Sequence, residues 1–303
     1  MAHDRLCQES RQLPMNPNSY DIAEQRRIAH VLTTVQTAIE QQARLIALTR
    51  ELKSALMRKL FTEGLCKTSQ VLETCEVCGE RHRADLKHTE IGLVPEGWEV
   101  SPLDELLTRT QYGLSVRGEE AGRYGILRMT NKAEGKISTD KMQFVTIGEK
   151  DFEKYRLERG DILFNRTNSL ELVGRTAFFD IEGDYVFASY LIRLNTDSER
   201  LHPLFLNHFL NWDESQKRLK SIALRAVSQS NISATRLRTF LVPLPSLEEQ
   251  AEITTSIDTV NEKTEFHRQK KRLLEELFRT LLHQLMTGQT RVKEADLTGL
   301  QDL

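Results

Sequence analysis

The sequence predicts an α+β protein: one mixed α/β domain together with two long helices that form an antiparallel coiled coil. Three observations predict it. Two stretches of roughly forty residues, near the two ends of the chain, lack proline and glycine and carry apolar residues at helical spacing. Short β-type runs separated by Gly- and Asn-containing breaks fill the interval between them. The two long stretches also match one another without a gap.

The first helix is expected over 21–62. Ile28, Val31, Leu32, Val35, Ala38, Ile39, Leu45, Ile46, Leu52, Leu56 and Leu60 fall at a, d and e heptad positions, with Gln42 and Thr49 as polar interruptions. At 1.5 Å per residue such a helix is about 60 Å long. Gly64 then supplies a stop signal. The second helix is expected over 246–288, with Ile253, Ile257, Val260, Phe266, Leu273, Leu274, Leu277, Phe278, Leu281, Leu282 and Leu285 as its apolar set and Gly288 at its end.

The two align at a constant offset of 225 residues: Glu24-Gln25 with Glu249-Gln250, Ile28 with Ile253, Val35 with Val260, Leu48 with Leu273, Glu51-Leu52 with Glu276-Leu277, and Thr62 with Thr287. Any two coiled coils share leucines. The Glu-Gln pair and the closing threonine do not follow from heptads, so the segments read as a duplication. A lone helix cannot leave its apolar stripe in water, and the simplest cover is the other copy. One helix leads into the middle segment and the other leads out, so the pairing is antiparallel. The expected shape is a rod with a globular domain at one end, and a rod sets a distance.

Around these helices the expected organisation is a polar leader over 1–20, a connector over 63–95, a domain over 96–245 and a tail over 289–303. Within the domain, strands are expected at Tyr124–Met129, Gln143–Ile147, Asp161–Phe164, Arg175–Phe179 and Tyr185–Leu194. One or two helices are expected over Pro203–Leu224, then a break at Ala226–Asn231 before Leu237–Pro245.

Composition narrows the function. Of 303 residues, 39% are hydrophobic and 28% charged, and the formal net charge is −2, so any nucleic-acid footprint has to be local rather than global. No apolar run is long enough to span a membrane, and the first residues carry no apolar signal region, which points to the cytoplasm. Four cysteines do not suggest a disulfide framework. Cys66, Cys75, Cys78 and His82 have zinc-like softness and spacing, but the second half of the motif is irregular and His88 competes for the fourth place. A free-thiol connector is the preferred reading, and Cys7 is incidental.

No phosphate-binding Gly-rich loop, nucleophile elbow, His-Glu-x-x-His pair or Asn/Asp-Pro-Pro-aromatic motif is present. Glu51-Leu52-Lys53 lies on the rod helix, a poor place for a nuclease site. The expectation is a binding module without catalysis or cofactor.

From Thr89-Glu90-Ile91-Gly92-Leu93-Val94-Pro95-Glu96-Gly97-Trp98 onward the chain resembles the target-recognition domain of type I restriction–modification specificity subunits. Gly160-Asp161-Ile162-Leu163-Phe164-Asn165-Arg166-Thr167-Asn168-Ser169 resembles the central strand and loop of that domain. Leu172-Val173-Gly174-Arg175-Thr176-Ala177 and Phe187-Ala188-Ser189-Tyr190-Leu191-Ile192-Arg193 continue the likeness. Gln229-Ser230-Asn231-Ile232 and Pro243-Leu244-Pro245-Ser246-Leu247-Glu248-Glu249-Gln250 resemble its exit into a spacer helix.

The resemblance implies a subunit that reads part of an interrupted target in double-stranded DNA and docks modification (methyltransferase) subunits through its helices, with restriction subunits able to join. Members of that family normally carry two recognition domains. This chain has room for one, so it looks like a half-subunit, or the C-terminal portion of a split one, expected to pair as a homodimer or with another half. The alternative is an assembly remnant that binds modification subunits without reading DNA.

Residue chemistry agrees with DNA reading. Arg suits guanine, Asn and Gln suit adenine, and hydroxyls and cations hold phosphates. The candidates are the loop Asn165, Arg166, Thr167, Asn168 and Ser169; the loop Ser228, Gln229, Ser230 and Asn231; and Arg128, Asn131, Lys132 and Arg175. Ordinary turn capping is the competing explanation for each.

Overall fold

The computed structural model describes residues 21–65, 72–74, 81–83, 86–225 and 229–292. In chain order the elements begin with α1 (Ile22–Glu63), β1 (Leu72–Thr74), β2 (Arg81–Arg83), β3 (Leu86–Thr89), β4 (Gly92–Pro95), β5 (Glu99–Pro102), β6 (Leu107–Tyr112), β7 (Tyr124–Leu127), β8 (Lys132–Ala133), β9 (Lys136–Ile137) and β10 (Gln143–Val145). Next come α2 (Glu149–Tyr155), β11 (Ile162–Asn165), β12 (Thr167–Asn168), β13 (Thr176–Phe178), β14 (Tyr185–Phe187) and β15 (Leu191–Thr196). The chain then forms α3 (Pro203–Asn211), α4 (Asp213–Ser221), β16 (Leu224–Arg225), β17 (Ser230–Asn231), α5 (Ala234–Arg238), β18 (Leu241–Leu244) and α6 (Leu247–Met286). Contacts divide it into two compact units, Met1–Leu52 with Val260–Leu303, and Lys53–Thr259.

In the first unit, α1 begins at an Asp21 cap, whose Oδ1 accepts the Glu24 N–H at 2.6 Å. Ile28, Val31, Val35, Ile39 and Ile46 are buried along one face. The partner is α6, and the pairing is antiparallel. Arg291 Nη1 donates to Glu24 Oε2 at 2.7 Å, Ile28 and Val31 bury with Leu285 and Val292, and Gln42 Oε1 meets His267 Nδ1 at 2.9 Å. Gln42 and His267 are equivalent under the offset of 225 residues. A residue that touches its own duplicate marks a local twofold axis, so the polar interruption sits at the centre of the pairing.

The expectation that each copy covers the other's stripe needs correction. Leu45, Leu48 and Leu52 on α1, and Phe266, Leu273, Leu277 and Leu282 on α6, are exposed. One helix covers only the narrow a/d seam of its partner, and these stripes are wider than that.

In the second unit the end of α1 and the start of α6 share a core with the mixed domain. Phe61 is 1% exposed and packs edge-on against Phe205 and Phe209, with ring centroids 5.5 and 5.4 Å away. Ile253 and Ile257 join Trp98, Leu103, Phe240 and Val242 in the same cluster. Glu249 accepts hydrogen bonds from Leu65 N and Trp98 Nε1, both at 3.0 Å. Gly64, at φ +69°, is needed twice over: its conformation is left-handed, and a Cβ there would lie 2.7 Å from Glu249 Oε1. Gln250 is fully buried; its Oε1 accepts from His202 N at 2.7 Å, and its Nε2 donates to Arg200 O and Pro245 O. The Glu-Gln pair of this copy therefore ties helix to domain.

The main sheet has the order β6-β15-β11-β13-β9-β8, and β11 sits within it with all four residues buried. The run expected at Tyr185–Leu194 divides into β14, paired with β7, and β15, paired with β11 and β6. Arg193 and Asp161 form a buried ion pair at 3.3 Å. The segment expected as one or two helices over Pro203–Leu224 is two, α3 and α4, followed by the first residue of β16.

Candidate nucleic-acid interface

The candidate site grows out of the end of β11. Asn165 is 2% exposed; its amide N–H donates to Arg175 O at 2.9 Å and its side chain to Leu172 O at 3.1 Å. Gly174, at φ +86°, returns its N–H to Asn165 O at 2.9 Å. These bonds close the loop 166–174 at its base, and Val173, fully buried, anchors it. A base contact by Asn165 would have to break that closure.

Past Asn165 the chain leaves the main sheet. Arg166 N donates to Tyr190 O at 3.1 Å, and Arg166 O accepts from Ile232 N at 2.8 Å. Thr167 and Asn168 then form β12, which pairs with β17 in the register Thr167↔Asn231 and Asn168↔Ser230. β17 pairs in turn with β16, Leu224 opposite Asn231 and Arg225 opposite Ser230. Both segments expected as loops thus contribute strands. They are far apart in sequence, and the structure joins them in one three-stranded sheet. Asn231 Nδ2 donates to Thr167 Oγ1 at 2.6 Å. Ser230 is buried, Ser169 and Gln229 are exposed, and Ser228 lies outside the described residues.

Arg166 is the cation beside this sheet. Its guanidinium carbon lies 4.7 Å from the centroid of the Tyr112 ring, and its Nη1 reaches Ser189 O at 3.5 Å. Its Nε is buried and has no hydrogen-bond partner among the described residues. Tyr112 is held by its own hydroxyl, which accepts from Ala234 N at 2.9 Å. Tyr112 and Tyr190 are both exposed. Tyr112, Tyr190 and Leu224 are absent from the sequence-derived set. Nothing local marks them, because their value lies in what the fold sets beside them.

The remaining candidates lie outside the three-stranded sheet. Lys132 Nζ lies 3.3 Å from Arg175 O and 3.5 Å from Leu163 O, and loss of hydration pushes its pKa down to about 7. Arg175 Nη1 donates to Asn211 O at 3.4 Å. Asn131 is fully buried; its side chain accepts from Arg128 N and donates to Ser138 O and Asp140 O, so it holds a turn. Arg128 Nη2 donates to Lys141 O at 2.8 Å. Cys66, Cys75, Cys78 and the side chain of His82 lie outside the described residues. No cluster of metal-ligating residues occurs among the described residues, and none of the helices is long and apolar enough to cross a membrane.

This site belongs to a chain with clear relatives. It is 34% identical over 205 residues to a putative type I restriction enzyme MjaX specificity subunit of Methanocaldococcus jannaschii, covering 64% of this chain and 48% of that one. It is 27% identical over 297 residues to the MjaVIII specificity subunit of the same organism, covering 96% of this chain and 64% of the relative. Among solved structures, the type I S subunit of M. genitalium matches with a TM-score of 0.54 at 17% identity, over 88% of this chain and 61% of that one. The chain therefore spans about half to two thirds of the length of these proteins. The sequence model of the family described as type I restriction modification DNA specificity domain matches residues 95–276, more than half of the chain, and the chain belongs to that family.

Proposed function

We propose that this protein is a non-catalytic DNA-reading component of a type I restriction–modification assembly, reading one half of an interrupted target. In this reading, segment 96–245 holds the recognition surface between spacer helices at 21–62 and 246–288. The observation that carries it is the union of the two Asn-, Thr- and Gln-bearing segments in one small sheet beside Arg166. A rigid polar ribbon with a stacked cation suits base edges and phosphates in a groove.

The helical unit supports the partner. Leu48 and Leu273 are equivalent under the duplication, as are Leu52 and Leu277, and all four are exposed. Twofold-related apolar sites fit two copies of one helical partner, which we assign to the modification subunits, with restriction subunits joining them. A second reader completes the target, supplied by a homodimer or by another half, and the assembly works on double-stranded DNA in the cytoplasm.

The test is DNA binding by the full chain, alone and with modification subunits, across a salt series. Binding should weaken linearly in log–log form with salt. Arg166→Ala and Gln229→Ala should each relax sequence preference, with a loss of about tenfold for the preferred site. Unchanged preference in both variants would sink the assignment.

A further inference from the structure

The three-stranded sheet has two faces, and its register says which residues share them. Thr167 stands opposite Asn231, and Asn231 opposite Leu224. Directly opposed residues project to the same side of a sheet. The 2.6 Å bond from Asn231 Nδ2 to Thr167 Oγ1 is the direct expression of that for the first pair. Ser230, the neighbour of Asn231, is buried, so the alternate row turns inward and the row Thr167–Asn231–Leu224 turns outward. Leu224 is 55% exposed at the end of that outer row. A single exposed leucine is ordinary. This one is held in a ladder, next to an amide, on the surface proposed to meet DNA.

We propose that this row reads one A·T base pair in the major groove, with Asn231 on the adenine edge and Leu224 against the thymine methyl group. The proposal rests on the DNA-reading function above. The major groove, about 12 Å wide, admits a two-stranded β-ribbon, and β17 and β16, which carry Asn231 and Leu224, are two paired strands about 4.8 Å apart. Thr167 engages one hydrogen of the Asn231 amide and fixes its orientation. The second N–H and the side-chain carbonyl then form a donor–acceptor pair. Adenine offers the complement, an acceptor at N7 and a donor at N6, whereas guanine offers two acceptors. The thymine of the same pair adds a methyl group to that groove edge, and cross-strand side chains about 5 Å apart reach both bases at once. A G·C pair would lack the methyl and set guanine O6 against the Asn231 carbonyl.

The experiment changes the DNA first. The full chain selects its preferred sequence from random duplexes, and each A·T pair of that sequence is then altered one atom group at a time. Replacing the read thymine by uracil removes only the methyl and should weaken binding by about fourfold. Replacing its adenine by 7-deazaadenine removes only N7 and should weaken binding about tenfold. The uracil effect should vanish in Leu224→Ala, and the 7-deazaadenine effect in Asn231→Ala. The base analogues act on the unaltered protein, so they report even if a variant folds poorly. If no A·T pair shows both losses, or if they persist in the variants, the assignment of this row is overturned while DNA reading stands. If no sequence is selected from the pool at all, the DNA-reading proposal itself fails.

Discussion

At the scale of single residues, the domain buries charge in two different ways. Arg193 is 2% exposed and engaged through both terminal nitrogens: Nη1 donates to Arg156 O and Asp161 Oδ2, and Nη2 to Lys154 O and the Gln111 side chain. Arg193→Met would leave Asp161 buried without its cation and should cost about 3–5 kcal/mol, read as a lower urea midpoint. Lys132 has carbonyl oxygens within reach but no ion pair with a carboxylate among the described residues, and its pKa falls to about 7 from 10.5. The folded pKa lies below the unfolded one, so the lysine costs stability wherever the unfolded chain holds the proton. That cost is absent above about pH 10.5, grows as pH falls toward about 7, and stays constant below. Lys132→Met should therefore raise stability near pH 7 by on the order of 2 kcal/mol, since water still reaches part of the side chain. The gap between variant and wild type should close as the pH approaches about 10. A gap that does not change with pH would contradict the depressed pKa.

At the scale of elements, the duplicated helix serves each unit through the same positions. Ser246 caps α6 as Asp21 caps α1, each accepting the N–H three residues on. Glu249 fastens Leu65 and Trp98 in the second unit, while Glu24 takes Arg291 in the first. Phe61→Ala should destabilise the second unit by about 3–5 kcal/mol, because the aromatic cluster of Phe205, Phe209 and Trp212 cannot close over the space left. In the first unit, a double change of Gln42 and His267 to Leu should raise the melting temperature, since a part-buried polar pair gives up stability for register. A lower melting temperature would show instead that the pair is a net source of stability.

At the scale of the whole molecule, the proposed pairing of two half-readers has a consequence for the DNA. Under that proposal a symmetric pair of chains would read an interrupted palindrome, because the twofold of the protein would map onto its target. Methylome sequencing of cells carrying the system should show modification at inverted half-sites. A strict monomer in sedimentation, even with modification subunits present, would exclude the homodimer. Changing Leu48, Leu52, Leu273 and Leu277 to Gln should abolish co-purification of modification subunits and leave the melting temperature within a few degrees, since all four side chains are exposed.

By itself the sequence determined the two helices, their duplication, their antiparallel sense and the α+β class, because helical periodicity and gap-free repetition are local properties that survive without a fold. It also marked the segments at 165–169 and 228–231 as candidates, whose composition is itself the signal. Only the tertiary structure decided what those residues do. Asn165 and Asn131 look like loop contacts in sequence, yet burial commits them to holding turns. Thr167 and Asn231 become neighbours only through strand pairing across many intervening residues. Tyr112 and Leu224 acquire meaning from what lies opposite them. The division has one physical cause: periodic burial is written along the chain, whereas the proposed reading surface is assembled from short strands whose pairing partners no local pattern names.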